Sequence, residues 1–362
     1  MSTLANRAGP FTHTANSVTR TMVWVIAALL PATAYGLWLF GWPALMLFVI
    51  TLASALAAEA AMLVLLGRPV RARLWDGSAL LTGWLLALSL PPWAPWWIGV
   101  LGSLSAIVLG KHLFGGLGQN MFNPAMVARI LLLISFPVQL TMWVAPAPLS
   151  SAAVPSFGQS LAFVSGQTPM PDHMSAATAL GVLKTELSRG VSVEKSSALL
   201  PPSQQLAIGH ESGSMGETSA GLLLAGGLLL LVLRIITWHI PVALLGTLGV
   251  LAAASNALDP ARFASLSIHL LSGAAVLGAF FIATDYVTSP VSRAGQLLFG
   301  VGIGALTWVI RTLGSYPEGL AFAVVLMNAL VPLIDRGLRP RVFGRSWRGK
   351  SLQAKASPRI HI

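Results

Sequence analysis

Four short polar stretches interrupt an otherwise apolar chain, and each holds side chains able to do chemistry. The first is Asp172-His173-Met174-Ser175-Ala176-Ala177-Thr178. A Thr hydroxyl is a weak nucleophile, so Thr178 becomes an attachment point only if a separate transferase drives the coupling. The small side chains of Ala176 and Ala177 let a bulky donor approach the backbone. The same residues also read as an ordinary helix start with Ser175 as its cap. The second stretch, 114–124, is Phe-Gly-Gly-Leu-Gly-Gln-Asn-Met-Phe-Asn-Pro. Its glycines permit close backbone approach. Asn120 and Asn123 offer amide donors and acceptors suited to a heteroaromatic ring edge or a chain of hydroxyls. A tight turn with Asn caps and Pro124 at the first helical position accounts for them equally well. It is no phosphate loop, because no Gly-Lys-Ser/Thr follows. The third is Ala283-Thr284-Asp285-Tyr286-Val287-Thr288-Ser289-Pro290. Asp285 sits beside apolar spans, where a carboxylate is costly and is a candidate for an ion pathway. Its alternative is a helix-end ion pair with Arg293. Glu59 is a weaker candidate of the same kind, as is Asp335. The fourth, Gly213-Ser214-Met215-Gly216-Glu217-Thr218-Ser219, offers Glu217 and Thr218 either as helix caps or as contacts to a group carried by the first stretch.

The elements that must position these residues are membrane helices. Of 362 residues, 55% are hydrophobic and 9% charged, against about 25% charged in soluble domains. The mean hydropathy is +0.76. There is no cysteine, so the chain supplies no disulfide, thiolate metal site or iron–sulfur ligand. The formal charge of +11 reflects uneven loop charge and not nucleic-acid binding. Apolar runs at 22–40, 44–66, 78–92, 95–114 and 124–144 form a first membrane repeat over 22–144, after a polar segment 1–21 without a cleavable leader. A polar loop, 145–217, follows. Runs at 219–237, 240–255, 266–284, 295–313 and 317–335 form a second repeat over 218–335, and a basic tail occupies 336–362. The expected fold is an all-α polytopic membrane protein of about ten helices in two inverted five-helix repeats. Pro92, Gly102 and Gly116 each precede Pro290, Gly300 and Gly314 by 198 residues, and an odd number of spans per repeat inverts the second half. Seventeen of the 22 Lys and Arg fall on the side of the termini. That places both termini in the cytoplasm and the 145–217 loop outside.

Asp172 to Thr178 fits Asp-x-x-Ser-x-Ala-Thr, a pattern at which a flavin transferase joins FMN to the Thr hydroxyl through a phosphoester. On the outer face, covalent attachment would keep a flavin from being lost. With the other three stretches in the same order, the chain resembles the NqrB/RnfD family of membrane subunits over nearly its whole length. The short segment before the first span favours the RnfD branch. Ala176 and Ala179 depart from the Gly and Pro usual there. The resemblance implies a subunit of an ion-translocating oxidoreductase of the Rnf type in the bacterial inner membrane, coupling electron transfer between NADH and ferredoxin to Na⁺ or H⁺ movement. It implies covalent FMN on Thr178, with Asp172, Ser175, Ala177, Glu217 and Thr218 around it, and a noncovalent flavin, riboflavin, at Asn120 and Asn123. It implies no NAD site on this chain. The implied partners are the subunits RnfA, RnfB, RnfC, RnfE and RnfG, the maturing transferase and membrane lipid. An NqrB-like quinone reductase subunit, a solute channel or transporter with inverted repeats, and a structural scaffold are the alternatives. Flavin content separates the last two from the redox readings.

Overall fold

The structure is a computed structural model, and it describes residues 17–151, 154–168 and 175–339. The first apolar stretch forms one long helix, α1 (Val18–Leu65), started by the Ser17 hydroxyl accepting from the Arg20 N–H. It is two spans in geometry. Gly41 adopts φ 74°, which a side chain resists, and Pro43 follows, so the helix breaks between the two expected runs. After the short α2 (Val70–Leu74), Asp76 caps α3 (Ser78–Ser89) by accepting from both the N–H and the hydroxyl of Ser78. Pro91 and Pro92 stop α3 after 12 residues, roughly 18 Å and too short to cross a bilayer. Next comes α4 (Trp96–Leu104), which widens into π geometry over Ser105–Lys111 and tightens into a 3₁₀ turn over His112–Phe114. Asn123 caps α5 (Pro124–Ser135), with proline in the first turn as the sequence implies; the short α6 (Pro137–Thr141) follows.

The described part of the polar segment 145–217 is folded. Strand β1 (Trp143–Val144) pairs antiparallel with β2 (Ser175–Ala176), in the register Trp143 to Ala176. Around that pair lie α7 (Phe157–Val164), α8 (Ala179–Ser188), α9 (Val193–Ser197) and α10 (Ser203–Ile208). Phe163 of α7 stacks on Trp93, so the segment is packed against the bundle. The second half runs through α11 (Ala220–Val232), α12 (His239–Leu258), α13 (Leu266–Leu271), α14 (Ala275–Leu277, continued in π geometry over Gly278–Ile282), α15 (Arg293–Leu313) and α16 (Leu320–Gly337). The run expected as one span at 266–284 is broken at Ser272-Gly273, where Gly273 takes φ 73°.

Among the described residues, five helices are long and apolar enough to cross a membrane, α1 and α4 (with its continuation), α12, α15 and α16. The shorter α3, α5 and α11 and the broken α13–α14 supply the remaining apolar runs, as interrupted helices do where neighbouring protein satisfies their backbone. The chain is therefore an all-α polytopic membrane protein. A shift of 198 residues lays Trp96–Phe114 over α15 and Pro124–Ser135 over α16. Both halves thus share one element order, with a half-length helix ending at Ser89 in the first and the α14 segment ending at Ile282 in the second.

Candidate functional site

Two cavities collect the polar stretches. The larger has about 770 Å³ of open space, which includes solvent beyond its mouth. It lies between the start of α1, α3, the 117–125 turn, Ile235-Ile236 after α11, and the 280–287 segment. The second and third stretches, far apart in sequence, meet here. Asn120 is buried; its Nδ2 donates to the Phe122 carbonyl at 3.2 Å, while its Oδ1 has no partner among the described residues. A buried amide oxygen left unpaired is costly, so the cavity presents an unmet acceptor. Asn123 does what the turn-and-cap reading requires. Its Oδ1 accepts from the Met126 N–H at 3.2 Å, which leaves Nδ2 without a hydrogen bond among the described residues.

Asn328 was not singled out from sequence. Its Oδ1 accepts from the Asn123 N–H at 3.1 Å, and its Nδ2 donates to the Thr288 carbonyl at 2.9 Å. It ties the 120–124 turn to the 284–290 segment. The available signal was one amide in the apolar run of α16. Asp285 forms no ion pair with Arg293; its oxygens accept from the Val287 N–H at 3.3 Å and the Thr288 hydroxyl at 3.2 Å. Glu59 does not line the cavity. It holds Lys111 Nζ at 2.8 Å and His112 Nε2 at 3.0 Å, and Lys111, which does line it, also donates to the Ser78 hydroxyl at 2.8 Å. The π turn of α4 presents adjacent Lys111 and His112 to one carboxylate, an irregularity common at functional sites.

The smaller cavity, about 310 Å³, is a cleft beside Thr178 lined also by Trp143, Glu211, Glu217, Ser272 and Glu318. Thr178 is half-buried and, not Ser175, is the N-cap of α8: its Oγ1 accepts from the Gly181 N–H at 3.1 Å. Ser175 and Ala177 are exposed on the strand and turn leading to it. Asp172 lies outside the described residues. The first and fourth stretches meet at this cleft through Glu217, which accepts from the Ser214 hydroxyl at 2.8 Å and faces Arg129 at 3.8 Å. Thr218 is fully buried and its hydroxyl donates to the Met215 carbonyl at 2.8 Å, so it neither caps α11 nor faces the cleft; Ser219 is the cap.

Three carboxylates around one hydroxyl would repel an anion, but their environments differ. Burial, then the neighbouring Glu217, push the Glu211 carboxyl up to about 8, against the Ser272 bond and Arg311. Burial, then Glu318, raise Glu217, against Arg129. Burial acts upward on Glu318 too, but the Arg311 guanidinium at 2.7 Å and the Leu320 N–H more than offset it, and its carboxyl is held low. Near neutral pH the cleft therefore holds a protonated Glu211 and an Arg-paired Glu318. An anion on Thr178 would also meet the N-terminus of α8, where free N–H groups favour negative charge.

The chain is matched by the family model described as "NQR2, RnfD, RnfE family" over residues 5–344. It is 57% identical over 343 residues to the D-type subunit of the ion-translocating oxidoreductase complex of Stutzerimonas stutzeri, covering 94% of this chain and 96% of that one. Its identity to the protein of the same name from Halorhodospira halophila is 52% over 348 residues, with 95% and 97% covered. For the protein of that name from Rhodobacter capsulatus it is 51% over 335 residues, with 92% of each covered.

Proposed function

Since the chain belongs to the NQR2, RnfD, RnfE family, we propose that it is the flavin-carrying membrane subunit of an Rnf-type complex. Its relatives, named as components of an ion-translocating oxidoreductase complex, support the coarser statement, that it is a multi-pass membrane subunit of such a complex. The finer reading is that FMN is esterified to Thr178 and that riboflavin occupies the larger cavity. The complex would couple electron transfer between NADH and ferredoxin to Na⁺ or H⁺ movement across the inner membrane, together with the RnfA, RnfB, RnfC, RnfE and RnfG subunits. The observation that carries it is the unpaired, buried Asn120 Oδ1 in a cavity where two sequence-distant stretches meet.

The residues present fit both groups. A flavin would supply one- and two-electron transfer through its ring; the protein's part is placement and tuning. In the larger cavity Asn120 offers an acceptor and Asn123 an amide donor, while Phe280, Phe281 and Leu85 give apolar walls. Lys111 brings a buried positive charge to the same wall, held by Glu59, and a positive charge favours a reduced, anionic ring edge. Asp285, beside the threonines 284 and 288, is the acidic group best placed for an ion pathway at this end. At the outer cleft, Thr178 is accessible enough for a transferase. Gly181 leaves room beside its oxygen, because a Cβ there would stand 3.0 Å from Oγ1.

Flavin content tests this. The complex purified from its native membrane should release one flavin from this subunit on acid extraction and retain a second on the chain. Mass spectrometry of the tryptic peptide containing Thr178 should carry the added FMN mass. A subunit with neither flavin would overturn the redox reading in favour of a scaffold.

A further inference from the structure

A third cavity adjoins the Thr178 cleft, sharing Leu180 with it, and three of its lining residues, Lys184, Arg262 and Arg311, are cations. It has about 490 Å³ of space including its open mouth, between α8 and α9 of the 145–217 segment and the adjoining ends of α12, α13 and α15. Lys184, Arg262, His269 and Arg311 line it beside leucines of α8 and Phe263, and no carboxylate does. His269 is 2% exposed, and neither ring nitrogen has a partner among the described residues. Arg311 is 6% exposed. Its two terminal nitrogens are used by Glu318 and by the carbonyls of His269 and Ser272, but its Nε is unpaired among the described residues. Lys184 Nζ donates to the Tyr316 carbonyl at 2.7 Å and to the Arg311 carbonyl at 3.4 Å, which leaves one of the three ammonium donors. Arg262 is exposed, lies over the Phe263 ring at 5.7 Å and forms no ion pair among the described residues.

Two buried side chains with unmet hydrogen bonds, His269 and Arg311, lie beside Lys184 and Arg262, which form no ion pair among the described residues, and this combination suits an anion. The surroundings identify its source. The pocket opens where the spanning helices α12 and α15 end and α13 begins, and the exposed Leu258, Leu313 and Leu266 stand at those three points. Trp308 of α15 stacks on Phe263 and extends the apolar side of the pocket. A soluble anion needs no apolar wall, whereas a lipid needs one for its glycerol and first methylenes.

We propose that this pocket binds the headgroup of an anionic phospholipid from the leaflet at that end of the bundle. Its phosphate is held by Arg262 and Lys184, with His269 at the base and the acyl chains running along the α8 leucines and Phe263. The lipid would pin α8, and with it Thr178 at the α8 N-terminus, to the bundle.

The test uses the intact complex, delipidated in mild detergent and incubated with equal amounts of phosphatidylglycerol and phosphatidylcholine. Retained lipid is then counted by native mass spectrometry. Arg262→Glu and Arg262→Gln should each retain one phosphatidylglycerol fewer per complex than the native protein, and Arg262→Lys should retain it. Arg189→Glu, an exposed charge change on the same segment, should also retain it. Equal retention in the native and both charge-loss variants would overturn the proposal, as would equal loss in Arg189→Glu, which would mark diffuse attraction. Inorganic phosphate in large excess should leave the lipid in place; its displacement would show a free-anion site and overturn the lipid assignment.

Discussion

At the scale of single residues, the two asparagines of the 114–124 turn have separate tasks that their spacing alone did not divide. Asn123 spends its oxygen on the α5 cap, whereas Asn120 keeps a buried oxygen unpaired. Asn120→Leu should therefore weaken the noncovalent flavin by roughly 1–3 kcal/mol, on the order of tenfold or more, with the covalent flavin intact. Asn123→Leu should in addition lose about 1 kcal/mol of helix capping. The ratio of acid-extractable to chain-bound flavin measures the first effect and thermal unfolding the second, and an unchanged ratio in Asn120→Leu would return the pair to a purely structural role. Glu211 carries a pH signature. Its carboxyl is raised from 4.5 to about 8 by burial first and Glu217 second, so its stabilising share is complete below the ordinary carboxylate value and is lost as pH rises through the folded value. Glu211→Gln keeps the protonated shape. It should match the native protein in thermal unfolding near pH 4 and exceed it at about pH 9; an equal difference at both would contradict this. Glu211 was not singled out from sequence, because a lone acid in a polar segment reads as a solvated one until folding buries it. Glu217 was, through its place in a motif.

At the scale of elements, hydropathy revealed the spans but not their interruptions. The runs at 240–255, 295–313 and 317–335 became α12, α15 and α16 within a few residues. The run at 266–284 hid a break, since Ser272-Gly273 differs little in hydropathy from a tolerated small pair and only its φ of 73° ends the helix. Likewise the polar segment 145–217 gave no apolar signal, yet it folds into short helices with a small cluster of Leu180, Leu183, Val193, Ala264 and Ile268. Between spanning helices lipid removes the hydrophobic drive, so close packing must hold them. Gly300 and Gly304, four apart on α15, bring it onto α12: a Cβ on Gly304 would stand 2.5 Å from the Leu244 carbonyl oxygen. Gly304→Leu should cost about 1–3 kcal/mol or more and lower the yield of assembled complex. Gly246→Ala on α12, where a Cβ meets nothing within 4 Å, should not. Equal yields would show that the α12–α15 contact is dispensable.

At the scale of the molecule, orientation decides whether a covalent flavin has a purpose. The Lys and Arg split of 17 to 5 includes Lys111, Arg129 and Arg311, which are buried in ion pairs with Glu59, Glu217 and Glu318. Setting those three aside leaves the bias in the same direction, because the arginines of the first interhelical turn and the basic residues of the tail sequence carry it. Alkaline phosphatase fused near Ser165 should be active and fused after Pro340 inactive; the reverse pattern would place Thr178 in the cytoplasm. The duplicated element order was legible from the 198-residue offset. The meeting of the 114–124 and 283–290 stretches in one cavity was not, because nothing in a single sequence pairs Asn123 with Asn328 across the two halves.

The most direct measurement of the central claim is flavin fluorescence of the denatured subunit in a gel, under ultraviolet light, after co-expression with a flavin transferase. The native chain should fluoresce, since a phosphoester survives detergent. Thr178→Ser should fluoresce partially, because it keeps the acceptor oxygen. Thr178→Val, which keeps the shape and loses the oxygen, should be dark. A fluorescent Thr178→Val chain would move the attachment elsewhere, with Thr185 of α8 the next candidate, and a dark native chain would contradict covalent flavin attachment altogether.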